Sequence, residues 1–327
     1  MTAGPSTSTA SAQDSSSKHE VFAQANLDFF AKIAQEYDNG AEGDKQFGQK
    51  VRAMAQSNYA AVLRAAEWDP ERTEMMDFAC GTGMTTLLLA PHCQSVVGVD
   101  QSEPMLRNFR AKLDNAAEPS IAALRSKVEI VHTDLLAPTA PEDAEAQALL
   151  KDKKFDIVLC TMSYHHFAEP DKVTEVLARY LKPEGKLVIV DLLDVKKGQG
   201  EEGDATQQHH AHAHSHGHGH GHGHGHGHGH HGHQHHAHAH AHAHGDASNT
   251  THDPTEAQFN THRAAHVIAH SSFVLSDFDR FFAGAGLERV GGQEPIFSAE
   301  LDWPGARRVQ DVYVVVGGWR QEQAAAA

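Results

Sequence analysis

A doubly wound α/β fold is what this sequence predicts, built on one seven-stranded, mostly parallel sheet whose last strand runs antiparallel. Three observations carry that expectation. Short apolar runs alternate with helical segments from residue 73 to 193. The runs, such as "SVVGVD" (95–100) and "FDIVLCTM" (155–162), are nearly unbroken Val, Ile and Leu, the pattern of parallel strands covered on both faces. With 327 residues, 40% of them hydrophobic, the chain has enough apolar material for one large core.

The elements follow in order. Residues 1–18 are Ser/Thr-rich with little to bury and read as a disordered tail. In "HEVFAQANLDFFAKIAQEYDNG" (19–40), Phe22, Leu27, Phe30, Ile33 and Tyr37 recur at near-helical spacing up to an Asn39-Gly40 stop, which predicts an amphipathic helix. A second helix is expected over about 46–67. Then come a strand in "TEMMDFA" (73–79), a helix in "MTTLLLAPH" (84–92), a strand in "SVVGVD" and a helix in "EPMLRNFRAKLDNA" (103–116). The strand "KVEIVHTD" (127–134) precedes a looser helix across "PEDAEAQALLKD" (141–152). "FDIVLCTM" is followed by the helix "PDKVTEVLARYL" (170–181), ended by Pro183, and by the strand "GKLVIVDLL" (185–193). Periodicity stops at Lys196, and 196–253 reads as a disordered insertion. The fold resumes through helical segments over 256–290 and closes with strands in "QEPIFSAEL" (293–301) and "VYVVVGGW" (312–319). One domain, 19–195 with 254–322, is thus interrupted by a loop.

Charge narrows the partners. Forty-three acids against 27 Lys and Arg give a formal net charge of -16, which repels phosphate backbones and anionic lipid, so neither a nucleic acid nor a membrane is an expected partner. The three cysteines, Cys80, Cys93 and Cys160, sit in apolar surroundings with no CxxC spacing, as in a reducing compartment. No apolar run is long enough to span a bilayer, and no h-region opens the chain, so the expected location is the cytoplasm.

The chemistry concentrates at "MMDFACGTGMTT" (75–86), a strand, an acid, a Gly-x-Gly turn and a helix. Glycines there permit φ > 0 and a close ligand approach, and exposed N–H groups favour electronegative ligand atoms. A dinucleotide fingerprint from Gly81 needs glycine at 86, where Thr86 stands. Asp77 ends the first strand, Asp100 the second and Asp134 the third. A carboxylate at Asp100 suits both hydroxyls of a ribose. Each acid alone equally suits a turn, a helix cap or the surface; their order and spacing together point to a nucleoside-bearing cofactor.

These residues resemble the class I S-adenosylmethionine-dependent methyltransferases, of Rossmann-like fold, over 73–193. The stretches that carry the likeness are "DFACGTG", "GVDQSEPML", "HTDLL", "FDIVLCTMSYHHF" and "LKPEGKLVIVDLL". Within that family the chain is similar to the small-molecule branch with quinone-pathway enzymes, whose lid helix "LDFFAKIAQEYDNGA" resembles. Ala79 replaces the first glycine of the family's GxGxG, which demands an ordinary φ at that site. The resemblance implies S-adenosylmethionine as cofactor and a small-molecule methyl acceptor. It places Asp77 and Gly81, Thr82 and Gly83 at the methionine part, Asp100 at the ribose, Thr133 and Asp134 at the adenine, and Thr161 and Met162 on the wall near the sulfonium. Ala79, Gln101, Met105, Leu135 and Tyr37 complete the expected cofactor-binding set. Methyl transfer needs alignment above all, for which proximity supplies on the order of 7–11 kcal/mol. Where a nucleophile must lose a proton, His166, then His165, in "SYHHF" stand ready; a pocket-shaping role for both is the competing reading.

The most conspicuous stretch is elsewhere. Residues 209–244 alternate His with Gly or Ala, and imidazoles at that density take Zn, Ni or Cu adventitiously. His262, His266 and His270, at i, i+4 and i+8, would share a helix face, as a polar stripe or as metal ligands. Three rival functions follow: a metal-buffering protein acting through the tract, an NAD-dependent oxidoreductase on a similar fold, and a methyltransferase that binds cofactor without turnover.

Overall fold

Side chains along each central strand alternate between two separate hydrophobic clusters, and that alternation sets the architecture. Met76, Val97, Val99 and Ile189 enter one cluster, with Val173, Leu177, Phe278 and Phe282 from helices. Met75, Val96, Val188 and Val190 enter the other, with Val62, Leu89, Leu106 and Phe109. A strand buried on both faces has no reason to carry polar residues, which explains the unbroken apolar runs. The computed structural model describes residues 9–39, 45–115, 118–136, 143–194, 257–260, 267–292, 295–303 and 306–320.

Helices α1 (Thr9–Ile33) and α2 (Lys45–Ala65) precede the sheet. Strand β1 (Glu74–Phe78), α3 (Met84–Leu89), β2 (Ser95–Asp100), α4 (Glu103–Leu113), α5 (Pro119–Ala122), β3 (Val128–His132), α6 (Ala144–Leu150), β4 (Phe155–Thr161), α7 (Pro170–Ala178) and β5 (Leu181–Leu193) follow. The chain then gives β6 (Ala257–Asn260), α8 (Leu275–Gly284), β7 (Leu287–Gly291), β8 (Pro295–Trp303) and β9 (Ala306–Trp319). The sheet order is β3-β2-β1-β4-β5-β9-β8-β6, with β7 also pairing β9. Strands β1 to β5 are mutually parallel, and β9 is antiparallel to β5. The strand order reverses at β1, where β4 takes the other side. That makes a topological switch point at the carboxyl ends of β1 and β4, with the ends of β2 and β3 alongside.

Several expectations are corrected. The seven expected strands are present, but the sheet has nine among the described residues. The additions are β6, which pairs with β8, and β7, which pairs with β9. The hairpin of β8 with β9 also runs past the end of β5. The stretch 256–290 is therefore not wholly helical: β6 and β7 lie in it, and its one α-helix among the described residues is Leu275–Gly284. "LERVG" is too short and too polar to announce a strand, and pairing with β9 decides it. Helix α1 begins at Thr9, inside the stretch read as a tail, because adding a residue to an existing helix costs far less than nucleating one. It ends at Ile33, so Tyr37 sits in the following turn and not on the helix. His270 lies in non-helical backbone, which removes the shared helix face; His262 and His266 are outside the described residues, as are the insertion expected over 196–253 and the His tract within it. Among the described residues no helix is long and apolar enough to cross a membrane.

Candidate functional site

The turn after β1 is built from left-handed backbone. Ala79, Gly81 and Gly83 have φ of 57°, 55° and 73°. Ala79 therefore does not take the ordinary φ expected of it. The turn imposes the dihedral, and the alanine carries a strain of roughly 1–2 kcal/mol that glycine would not. Gly81 faces open space: a Cβ there would meet nothing within 4 Å. Gly83 does the opposite job, since a Cβ there would lie 2.3 Å from the Phe109 ring, which packs α4 against the start of α3.

One cavity opens above this turn. From the strand tips it is lined by Ala79, Gly81, Thr82, Asp100, Gln101, Met105, Thr133, Asp134 and Thr161, with Tyr37 and His166. With Met162, twelve of the sixteen sequence-selected residues are thus gathered on one wall. The other four lie behind it. Asp77 is 1% exposed beneath the turn, where Thr86 Oγ1 donates to its Oδ2 at 2.5 Å and Oδ1 has no partner. Gly83 is covered by Phe109, and Leu135 packs on the core. His165 is buried against β5, its Nδ1 2.8 Å from Asp191 Oδ1.

Electrostatics follow from burial. Asp100 accepts from the backbone N–H groups of Gly81 (2.8 Å) and Ser102 (2.7 Å), yet burial outweighs these bonds and raises its carboxyl above the usual range. Burial pushes Asp77 up to about 7, with nearby Asp100 adding to the rise against the Thr86 bond. Tyr37 is pushed to about 12 by burial, then by Asp38 and Asp100. His166 donates Nδ1–H to Val267 O at 2.8 Å; its ring meets Phe30 edge-on at 5.3 Å and lies 4.1 Å from His165. Burial first, and the His165 ring next, hold it down at about 3, so it is a neutral imidazole.

The other half of the wall escapes a reading of the sequence. Phe22, Asn26, Leu27 and Phe30 come from one face of α1; Val51, Met54, Ala55 and Asn58 come from one face of α2. Their i, i+3/i+4 spacing is visible, but it is the spacing of any core-facing helix stripe. The asparagines within that stripe are the one distinguishing signal. Met162, expected on the wall beside Thr161, does line the cavity; what the sequence does not announce is its φ of 52°, pinned by its N–H donating to Val190 O at 2.7 Å.

A polar clamp joins the lid to the turn. Thr82 Oγ1 donates to Asp38 Oδ1 at 2.6 Å, Lys112 pairs with Asp38, and Lys112 Nζ donates to Thr82 O at 2.7 Å. Asn108 Nδ2 donates to Ala34 O, and Arg52 to Asn39 Oδ1 at 3.1 Å. Among the described residues no group of three His, Cys, Asp or Glu is placed to hold a metal.

The chain matches the family described as "Methyltransferase domain" over residues 76–189. It is 32% identical over 126 residues to an uncharacterized methyltransferase of Schizosaccharomyces pombe, covering 38% of this chain and 41% of that one. A demethylmenaquinone methyltransferase of Thermus thermophilus is 31% identical over 172 residues, 52% of this chain and 66% of that one. An uncharacterized methyltransferase of Bacillus subtilis is 28% identical over 131 residues, with shares of 40% and 44%. The chain thus spans between about two fifths and two thirds of the length of these relatives. The matched span begins in β1 and ends in β5, and so takes in β1, β2 and β3, at or just beyond whose ends the three acids stand. The likeness to known methyltransferases is thus carried by residues 76–189, where the chain matches the methyltransferase-domain family.

Proposed function

We propose that this protein moves a methyl group from S-adenosylmethionine to a small-molecule acceptor. One observation carries the reading: Asp77, Asp100 and Asp134 stand at or just beyond the ends of three adjacent parallel strands, beside a left-handed turn that leaves Gly81 open. Orphaned polar atoms favour a polar ligand there. Among the described residues Ser102 Oγ, Thr133 Oγ1 and Asp77 Oδ1 are buried without a partner. Such groups cost roughly 1–3 kcal/mol each until something fills them. The ligand's ribose diol and exocyclic amine suit Asp100 and Asp134 on the wall, while Asp77, beneath the turn, acts on the ammonium through its charge and not by contact. Bound there, S-adenosylmethionine supplies an already activated methyl, whose bond to sulfur breaks as the bond to the acceptor forms.

The chain's own work is alignment and exclusion of water. Helices α1 and α2 cover the cavity with apolar faces, and Thr161, Met162 and His166 form the wall toward which the acceptor is pressed. With Nδ1–H committed to Val267 O, His166 keeps its Nε2 lone pair for an acceptor hydroxyl or amine. At a value of about 3 it is a weak base, so it orients a proton rather than storing one. His165 acts through position alone: Asp191 fixes its ring, and its carbonyl accepts from the N–H groups of Ala269 and His270.

Titration of the full chain with S-adenosylhomocysteine and with NADH tests this. Binding of the first with no binding of the second is the expected result; the reverse would establish the oxidoreductase alternative. Asp100→Asn should weaken S-adenosylhomocysteine by about tenfold or more.

A further inference from the structure

Asn26 and Asn58 are the least explained residues of the cavity wall. They lie on the two lid helices, and they are 6% and 2% exposed. Both carry an Oδ1 that is buried with no hydrogen-bond donor. The orientation of Asn26 is fixed from within its own helix, because Nδ2 donates to Phe22 O at 2.8 Å and leaves Oδ1 the unpaired end. Apolar residues of similar size would cover a lid at lower cost. Two carbonyl oxygens kept dry and unpaired beside one cavity therefore ask for donors from whatever enters it.

Charge sets a second limit. Among the described residues the cavity is lined by no Lys and no Arg, while Asp100 and Asp134 are on its wall. An acceptor bearing a carboxylate or phosphate would meet acids and find no cation.

We infer that Asn26 and Asn58 select the methyl acceptor, and that it is an uncharged, largely apolar molecule whose O–H or N–H groups donate to these two side-chain oxygens. The inference rests on the function proposed above. On that reading Asp100 and Asp134, with the orphaned hydroxyls of Ser102 and Thr133, answer the cofactor's ribose and adenine from the strand tips, which leaves the lid oxygens for the acceptor. The flanking Phe22, Leu27, Phe30, Val51 and Met54 supply the apolar surround.

Three probes of one shape test it by calorimetry on the full chain, with and without saturating S-adenosylhomocysteine: 2-naphthol, 2-methoxynaphthalene and 6-hydroxy-2-naphthoate. The expected result is that 2-naphthol binds about tenfold or more tightly than either of the others. In Asn26→Leu and Asn58→Leu that preference over the methoxy compound should shrink severalfold, with S-adenosylhomocysteine affinity kept. Equal binding of the methoxy compound, tighter binding of the naphthoate, or no binding of 2-naphthol overturns the inference on the unaltered chain alone, whether or not the variants fold. A loss of S-adenosylhomocysteine affinity in the variants, with the hydroxyl preference intact, assigns the oxygens to the cofactor and also overturns it. If the unaltered chain fails to bind S-adenosylhomocysteine, the proposed function falls, while the naphthol series measured without it still decides the acceptor preference.

Discussion

Ala79 holds φ at 57° where a Cβ is unwelcome, and it does so on the wall of the cavity. Replacing it with glycine relieves roughly 1–2 kcal/mol of strain and gives back part of that as unfolded-state entropy. Ala79→Gly should therefore raise the urea midpoint by the equivalent of about 0.5–1 kcal/mol at unchanged m-value; a lowered midpoint would show that the methyl packs usefully. Asp77 stores a larger cost. Its folded carboxyl, at about 7, lies above the ordinary value of 3.8, so between those limits the folded chain keeps a proton that the unfolded chain has lost. Its contribution is fullest below pH ~4 and declines as pH rises to 7, by on the order of 4 kcal/mol. His166 has the opposite sign: held at about 3, it contributes above pH ~6.5 and loses that contribution as pH falls toward 3. Asp77→Asn should stabilise the ligand-free protein at pH 8 much more than at pH 5, read as the difference in melting curves between the two chains. A positive ligand group brought near Asp77 would also expel its proton. Calorimetry at pH 7 in buffers of different ionisation heat should show S-adenosylhomocysteine binding releasing a fraction of a proton from the unaltered chain and less from Asp77→Asn.

Helices α1 and α2 cover the cavity, and the clamp at their end ties that cover to the turn after β1. Asp38 is joined to Thr82 and Lys112, and Lys112 to the Thr82 carbonyl, so one lysine ties the turn after α1 to the turn after β1. Burial lowers the Lys112 ammonium, with the Asp38 charge opposing the shift, as for a pair only partly in water. Its side chain is 29% exposed, so solvent discounts the pair to a modest energy. Lys112→Met should speed S-adenosylhomocysteine dissociation roughly three- to tenfold and quicken trypsin cleavage after Lys32, with little change in the global urea midpoint. Unchanged dissociation and cleavage together would show that the clamp bears no part of the closure. The elements differ in how far the sequence announces them. Strands β1 to β5 are legible because burial on both faces leaves an unbroken apolar run, and their acids because each ends such a run. The lid wall is not, since Phe22, Phe30, Val51 and Met54 have the spacing of any packed helix stripe. Strand β7 is not, because "LERVG" becomes a strand through its pairing with β9. Nor is the backbone of Ala79, where a turn overrides what its side chain prefers.

For the whole molecule, the question is whether 29 histidines and the long interruption after β5 matter to the fold that holds the cavity. Strand β5 pairs with β9 from Lys186 to Leu193, and β9 pairs with β7 and β8, so the sheet closes across the interruption through residues that follow it. The sequence between has no apolar stripe to contribute to either hydrophobic cluster. Closing a loop costs only about 0.6 kcal/mol more for each doubling of its length, so shortening this one should change stability by a comparable amount. Removing residues 205–247 should accordingly leave the melting temperature within a few degrees and S-adenosylhomocysteine affinity within about twofold. The same deletion should abolish most Zn, Ni and Cu uptake, because that uptake depends on closely spaced imidazoles. Reading both quantities on the same samples separates an enzyme carrying a His-rich loop from a metal buffer built on an enzyme fold. If cofactor affinity collapses along with metal uptake while the chain stays folded, the imidazoles belong to the site after all.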